Sequence, residues 1–430
     1  MATLSVSRLR ILLLGSGGRE AALAWAIHRS PLCGHLYAAP GNPGLRSWAE
    51  LAPALEILDA PSVIAFCHER RVDLVFVGPE QPLVAGLVDH LAAAGIPAFG
   101  PTRAAAELEG SKAWAKAFMA RHGVPTAAHE TFDDLEEARA FLSRAPWQVV
   151  LKADGLAAGK GVVLPQTQEE ALTAAAGMLD GSAFGAAGRR IVIEERLAGP
   201  ELSVFALCDG ARGRILGSAR DHKRVGEGDT GPNTGGMGAL APSPLATPEL
   251  LARVRAEILE PVLAGMAAEG RPYRGILYLG LMLTAAGPRV IEFNCRLGDP
   301  ETQALLPLLE LDLLELAWRV ARGEALPAEG DPPTCGRAAV CVVLAAAGYP
   351  GMPRTGDPVE GLEELAGDEN LLAFQAGTTR DAQGRLLSAG GRVLGVTGLG
   401  RDAEQARTRA LAAIARLRLR DSHYRKDIGA

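Results

Sequence analysis

Along the first hundred residues, short apolar runs alternate with stretches whose apolar positions recur every three or four residues. The run 10–14 stops at Gly15-Ser16-Gly17-Gly18, and 19–28 has helical spacing. A short strand at 35–39 ends in Pro40-Gly41-Asn42-Pro43-Gly44, and a buried strand at 72–77 stops at Gly78-Pro79. A helix is predicted over 83–94, with another short strand at 97–100. Strands alternating with helices through short turns make a doubly wound parallel sheet.

From Gly110 the pattern changes. A helix at 112–122 is ended by Gly123 and Pro125. Strands at 148–152 and 161–164 flank a Gly- and Ala-rich loop, followed by a helix at 168–179 and a β-branched strand at 190–196. That order is a small α+β module. Strand continues at 203–207, and 221–238 is a long polar loop. A long helix at 248–269 precedes strands at 276–283 and 289–293, paired across a turn at 285–288, and a leucine-rich helix at 301–322. Asp331-Pro332-Pro333 reads as a linker. Beyond it come strands at 338–344, 372–376 and 392–397 and a helix at 403–417, with no dense polar constellation. The expected architecture is multidomain α/β and α+β. It comprises an N-terminal doubly wound domain (1–108), a second domain (109–330) carrying the small module at about 130–197, and a C-terminal α+β domain (331–430).

Composition narrows the function. With 48% hydrophobic and 22% charged residues, the chain has enough apolar surface to fold, which excludes a disordered protein. A net charge of −6 makes the chain a poor candidate for a non-specific nucleic-acid or membrane-surface binder, so an anionic ligand needs a local site. No apolar stretch approaches the ~20 residues that span a bilayer. The run 11–14 is too short for the core of a signal peptide. The cysteines Cys33, Cys67, Cys208, Cys295, Cys335 and Cys341 form no CxxC and no zinc spacing. They read as reduced thiols of a cytoplasmic protein.

Four stretches carry chemistry. The first runs from Lys152 through Gly155 and Gly159 to Lys160-Gly161, between two strands. Glycines admit phosphate oxygens close to backbone N–H groups, and lysines add charge. The spacing is one residue short of a Walker A loop and no helix follows, so a phosphate-covering loop and a plain hairpin tip both fit. The second is Ile291-Glu292-Phe293-Asn294. Alternation puts Glu292 and Asn294 on one face of a strand, a donor pair suited to Mg²⁺ or to a solvated strand end. Cys295-Arg296-Leu297-Gly298-Asp299-Pro300-Glu301 follows, with Asp299 as an expected helix N-cap and Pro300 as the first helical residue. Arg296 has no such structural role and is expected to hold a carboxylate or phosphate. The third is the loop 221–238, with Asp221, Lys223 and Arg224 at its start; loops this long are functional or mobile. The fourth is Gly15–Glu20, a helix start that could receive an anion, with Gly78-Pro79-Glu80 closing a later strand. Position 20 is Glu, so the dinucleotide fingerprint fails. No GxSxG and no nucleophilic cysteine signature is present, which argues against a covalent protease- or esterase-type mechanism.

Together these blocks resemble the phosphoribosylamine–glycine ligase (glycinamide ribonucleotide synthetase) family of the ATP-grasp superfamily. The resemblance runs through GSGGRE, AAPGNPG, VGPEQPLVAG, FGPTRAAAELEGSKAWAK, KADGLAAGKGVV, DHKRVGEGDTGPNTGGMG, IEFNCRLGDPETQ, GGRV and RKDIG, nearly the whole chain. It implies an ATP-grasp core with a lid in the second domain. It also implies ATP, Mg²⁺ or Mn²⁺, glycine and 5-phosphoribosylamine as participants, a glycyl phosphate intermediate, and a monomer that binds neither nucleic acid nor membrane. By the resemblance, Lys112 and Lys152 meet the nucleotide phosphates beneath the loop of Gly155, Gly159, Lys160 and Gly161. Glu194, Glu195 and Leu197 hold adenine, and Glu201 holds the ribose. Glu292 and Asn294 ligate the metal. Asp221, Lys223 and Arg224 surround glycine and the transferring phosphoryl group. Arg296, Asp299 and Glu301, with Gly18, Glu20 and Glu80, bind phosphoribosylamine.

One departure stands out: the family reads GGREHA where this chain has Gly17-Gly18-Arg19-Glu20-Ala21-Ala22. Two other readings compete with this one. A ligase for a different acid and amine leaves 221–238 and RLGDPETQ unexplained. A nucleotide sensor without chemistry would have lost Lys152, Glu292 or Asn294, and all three are present. The first seven residues are expected to be a disordered tail, and no fused second enzyme is expected after RKDIG.

Overall fold

The first apolar run becomes the central strand of a parallel sheet. The computed structural model describes residues 8–145, 148–157, 161–327 and 335–430. The expected N-terminal tail, the linker at 331–333, and Gly159 and Lys160 therefore lie outside the described residues. Strands β1 (Leu9–Gly15), β2 (Cys33–Pro40), β3 (Glu50–Leu51), β4 (Leu74–Val77) and β5 (Ala98–Phe99) form a five-stranded sheet in the order β3-β2-β1-β4-β5. The pairings are all parallel. Alternate residues of β1 are buried in opposite faces: Leu12 and Leu14 join one apolar core, Ile11 and Leu13 the other. Helix α1 (Gly18–His28) follows β1, and α2 (Ala60–Arg70) precedes β4. The expected helix at 83–94 is two: α3 (Glu80–Ala85) and α4 (Leu87–Ala93), broken at Gly86, whose φ of 89° is left-handed. Strand order reverses direction across β1 and β4, so their carboxyl ends form the sheet's switch point.

Helices α5 (Arg103–Gly110) and α6 (Lys112–Arg121) lead into the small module. There β6 (His129–Phe132), β7 (Val149–Ala153), β8 (Val162–Val163) and β9 (Ile191–Glu195) pair antiparallel in the order β6-β9-β7-β8. Helices α7 (Leu135–Leu142) and α8 (Gln168–Leu179) pack on this sheet, burying Ala138, Leu142, Ala171, Ala175 and Met178 against Leu151, Ile191 and Ile193.

The rest is organised by one eight-stranded antiparallel sheet. Its members are β10 (Glu201–Asp209), β11 (Gly213–Asp221), β14 (Gly238–Ala241), β15 (Arg274–Thr284), β16 (Gly287–Asn294), β17 (Ala338–Ala345), β18 (Leu371–Gln375) and β21 (Arg392–Gly400). The order is β16-β15-β10-β11-β14-β17-β21-β18, so the sheet runs without a break across the boundary expected near residue 330. The segment expected as a bare loop at 221–238 is largely a hairpin, β12 (Arg224–Gly226) paired with β13 (Thr230–Asn233). A second small hairpin, β19 (Thr378–Arg380) with β20 (Leu386–Ser388), lies near β21.

Two long helices expected from sequence are interrupted. Residues 248–268 form α9 (Pro248–Val254) and α10 (Glu260–Ala268) joined by a π-helical turn. Residues 301–321 form α11 (Glu301–Leu305), a 3₁₀ turn holding Pro307, and α12 (Leu313–Ala321). Proline lacks the N–H that an uninterrupted helix would need there. The final helix is α13 (Ala403–Ile414), packed on β17 and β21 through Ala406, Ala410 and Ile414. No described helix is long and apolar enough to cross a membrane. All six cysteines are unpaired.

Candidate active site

The polar residues singled out in the sequence converge where three surfaces meet: the small module, the end of β16, and the switch point of the N-terminal sheet. Glu292 and Asn294 lie on the same face of β16, paired opposite Gly280 and Tyr278 of β15. A Cβ at Gly280 would stand 3.0 Å from Cγ of Glu292, so glycine there lets the glutamate lie across the neighbouring strand. Lys223 Nζ stands 3.7 Å from Glu292 Oε1 and 3.1 Å from Glu201 Oε2. Burial alone would raise the carboxyl of Glu292, but the ammoniums of Lys223, Lys152 and Lys112 outweigh it and hold the group below the usual range. The same reciprocity lifts Lys223: burial would lower it, and Glu201 and Glu292 raise it well above normal.

Lys152 is tied down on two sides. Its Nζ donates to the carbonyl of Ile291 at 2.9 Å and pairs with Glu194 Oε1 at 3.0 Å. The other oxygen of Glu194 takes Lys116 Nζ at 2.9 Å. All three side chains are at most 4% exposed. Burial pulls Lys116 down to about 8. The Glu194 carboxylate is thus committed to two lysines, which leaves its backbone for any contact with a nucleobase. Glu195 and Leu197 continue from the end of β9 at the module's margin, partly exposed. Lys112 donates to the carbonyl of Gly155 at 3.4 Å, and burial lowers its ammonium. Asp154 fastens that loop to α6, accepting from Ser111 Oγ at 2.9 Å and from the Ala113 N–H at 2.8 Å.

At the end of β11, Asp221 Oδ1 is buried without a hydrogen-bond partner. Burial, then the nearby Glu301 carboxylate, raises Asp221 well above the usual carboxylate range. Glu301 is itself raised, chiefly by burial. Gly236, at φ 110°, permits this crowding: a Cβ there would meet Pro300 Cδ at 2.4 Å and Asp221 Oδ1 at 2.9 Å. Arg224 is not part of this group. Its guanidinium donates to the Gly231 carbonyl across its own hairpin at 2.7 Å.

The third surface is a chain of charges across the domain junction. Arg296 Nε donates to Glu80 Oε2 at 3.1 Å, and its Nη2 pairs with Glu109 Oε1 at 3.0 Å. Arg296 was expected to hold a carboxylate or phosphate; it holds two carboxylates, both of the protein itself. Arg19 Nε pairs with Glu20 Oε1 at 2.6 Å, and the Gly17 N–H donates to Glu20 Oε2 at 2.7 Å. Asp299 was expected to cap the following helix. Instead the helix begins at Glu301 with Pro300 in the cap position. Asp299 accepts from the Arg19 N–H at 3.2 Å and from Gln303 Nε2 at 2.8 Å, with Arg392 Nη1 3.4 Å away. Burial would raise Asp299, and Arg392 and Arg19 hold it low. Gly18 begins α1 directly against Gln303.

Sequence reasoning missed Lys116, Glu109, Tyr278 and Arg392. Glu109 joins two of the converging surfaces, accepting from the Cys295 N–H at 2.6 Å while holding Arg296. Tyr278, paired with Ser203 at 2.9 Å, lies beside Lys223 and Glu292. Arg392 comes from the C-terminal segment, where no polar constellation was expected. It lay inside GGRV, a block noted without a role.

Family profiles match along almost all of this framework. The phosphoribosylglycinamide synthetase N domain matches residues 9–109, the ATP-grasp (A) domain 110–302, and the C domain 339–430. The chain belongs to the phosphoribosylglycinamide synthetase family. Like other members of this family, it is an ATP-grasp ligase. It is 50% identical over 424 residues to a phosphoribosylamine–glycine ligase of Caulobacter vibrioides, covering 99% of this chain and 98% of that one. A Salmonella typhimurium protein of the same name is 47% identical, with 98% of each chain covered. The crystal structure of a phosphoribosylamine–glycine ligase from Thermotoga maritima superposes with a TM-score of 0.84 at 34% identity, covering 98% of this chain and 100% of that one. A biotin carboxylase from Campylobacter jejuni shares the fold at 18% identity, with a TM-score of 0.73 over 99% of this chain and 95% of its own.

Proposed function

We propose that the chain ligates glycine to 5-phosphoribosylamine, giving glycinamide ribonucleotide, ADP and phosphate. The observation that carries the reading is the focusing of Lys112, Lys152 and Lys223 on the carboxylate of Glu292, beside the charge chain of Glu80, Arg296 and Asp299. The first group suits triphosphate handling, the second a polar acceptor substrate. The curated relatives' shared name supports the pair of substrates.

In this reading, a carboxylate oxygen of glycine attacks the γ-phosphorus of ATP and the bond to ADP breaks, forming glycyl phosphate. The amine nitrogen then attacks the acyl carbon. Phosphate departs with the oxygen it took from glycine, and the amine's proton passes to phosphate or solvent. Such chemistry needs placement and charge compensation, not a protein nucleophile.

Lys112 and Lys152 would neutralise the phosphates, Lys152 being aimed by Glu194 and the Ile291 carbonyl. Glu195 and Leu197 would border adenine, and Glu201 the ribose. Gly155 and Gly161, with Gly159 and Lys160, would cover the phosphates. Lys223 would meet the transferring phosphoryl group. Asp221 Oδ1, buried and unpartnered, suits the ammonium of glycine. Gly18, Glu20, Glu80, Arg296, Asp299 and Glu301 would bound the phosphoribosylamine site.

A divalent cation fits Glu292 and Asn294. They lie two residues apart on one face of β16 and present a carboxylate and an amide oxygen. The other donors would be phosphate and water, as Mg²⁺ or Mn²⁺ prefers. When bound, the ion would offset charge building on the phosphates. The cytoplasm is the compartment we assign, supported by the six unpaired thiols.

The test is ADP release with ATP and Mg²⁺, adding glycine and phosphoribosylamine (formed in place from ribose 5-phosphate and ammonia) separately and together. Release that requires both supports the reading. Release independent of either overturns it. With glycine labelled by ¹⁸O in its carboxylate, label must appear in the phosphate; its absence rules out the acyl phosphate.

A further inference from the structure

The chain's last residues return to the hairpin that carries Lys223 into the site. Arg425, 196 residues beyond Asp229, is 1% exposed beneath β12–β13. Its Nη1 donates to the backbone carbonyl of Arg224 at 3.0 Å and to Asp229 Oδ1 at 2.8 Å. Its Nε and Nη2 donate to the two carboxylate oxygens of Asp427 at 2.8 and 2.7 Å. Asp427 Oδ2 in turn accepts the Gly228 N–H at 2.8 Å, and Glu227 Oε1 accepts the Lys426 N–H at 3.1 Å. One guanidinium thus grips the entry strand of the hairpin and, directly and through Asp427, its tip.

Anchoring the tail does not require this cluster. Ile428 is fully buried against the C-terminal core, and His423 exchanges backbone hydrogen bonds with Ala345 at 2.9 and 3.0 Å. A buried guanidinium is costly unless its charge and donors are met, and here they are met by the hairpin and by Asp427. The consequence falls on Lys223, next to the gripped carbonyl of Arg224. Lys223's own carbonyl is pinned from the hairpin's far side by the Thr234 N–H at 2.7 Å and its hydroxyl at 2.9 Å.

We propose that Arg425 is a positioning residue. By clasping the β12–β13 hairpin it holds the Lys223 ammonium between Glu201 and Glu292. The inference rests on the role given to Lys223 above. Arg425 touches no expected ATP contact itself, and Lys223 would act on the transferring phosphoryl group, so loss of Arg425 falls on turnover more than on nucleotide binding.

The experiment compares wild type with Arg425→Ala, Arg425→Lys and Asp229→Asn, the last changing a largely exposed arm of the clasp. In Arg425→Ala, kcat/KM for glycine falls about 10²-fold, as a misplaced group near the chemistry would cause. Nucleotide affinity measured at equilibrium stays within about twofold. Arg425→Lys keeps charge without the fork and falls between, and free guanidinium added to Arg425→Ala restores part of the loss. Asp229→Asn shows the same selective loss, smaller. Amide hydrogen exchange over 224–234 quickens in each variant. Unchanged glycine kinetics together with unchanged exchange in Asp229→Asn overturns the proposal, even if Arg425→Ala fails to fold. Nucleotide affinity that falls in step with turnover, with a lowered melting temperature, also overturns it. Exchange needs no turnover, so a wild type lacking glycine dependence would sink the functional reading while the clasp is still decided.

Discussion

Glu194 Oε1 stands 3.0 Å from Lys152 Nζ, with both side chains 4% exposed. Lys116 completes the arrangement on the other oxygen. Two ammoniums thus share one carboxylate in a dry setting, one positive charge in excess. The excess is useful only if an anion arrives, which is how nucleotide phosphates would be drawn to Lys152. Burial alone would raise the Glu194 carboxyl, and the two lysines overcome that and keep it charged.

Glu194→Gln should therefore lose stability heavily. Removing one partner of a buried pair costs about 3–5 kcal/mol, because the remaining charge stays buried without compensation. Urea unfolding measures it. Because bound phosphate would supply the missing negative charge, the deficit should shrink when ATP is present. A loss under about 1 kcal/mol, the scale of an exposed pair, would contradict this account.

Glu292→Ala tests the cation site. Three lysines hold this carboxylate ionised, so its removal takes away the strand's one negative donor and leaves those lysines mutually repelling. Turnover should fall at least about 10²-fold, the cost of losing one preorganised electrostatic group. The thermal midpoint should fall by less than in Glu194→Gln, since Glu292 is only partly buried. Activity within a few-fold of wild type, titrated with Mg²⁺, would remove Glu292 from the metal.

These two residues also show what the sequence makes legible. Glu292 and Asn294 were readable because strand alternation is local and fixes a shared face. The β15–β16 hairpin and the parallel N-terminal sheet follow from equally local apolar patterns. The half-polar strand β11 and the Gly- and charge-rich hairpin β12–β13 carry weak local signals, and their pairing is settled by neighbours far away in the chain. Lys116 carries no local signal of a role within its helix, and only the fold brings Glu194 to it. Glu109 and Arg392 escaped for the same reason: their partners Arg296 and Asp299 lie 187 and 93 residues away in sequence. Asp299 suits a helix cap by its local sequence, but the distant Arg19 and Arg392, with the nearby Gln303, take its oxygens.

The Ala21 departure has a structural meaning. Ala21 is fully buried on α1 within the apolar core shared with Ile11, Leu13 and Phe374. Ala21→His, which restores the family's residue, should overpack that core and cost about 1–3 kcal/mol. Chemical denaturation measures the cost. A stable Ala21→His variant with raised kcat/KM for phosphoribosylamine would show that the histidine belongs to the site, and that its loss is a functional handicap here.

Asp427 gives the clasp a pH signature. Hydrogen bonds from Arg425 and from the Gly228 N–H pull its carboxyl down from 3.8 to about 2. The folded state therefore binds a proton less readily than the unfolded chain does. The stabilisation is complete above about pH 4, and is lost progressively as pH falls through about 2. Asn at this position has no carboxylate to titrate. Between pH 5 and 2, wild type should lose its stability advantage over Asp427→Asn, and the two unfolding curves should converge at the acid end. A gap that stays constant across that range would mean that the Asp427 carboxylate is not held by Arg425 as the geometry requires, and that the tail is fixed by Ile428 and the His423 backbone pairing alone.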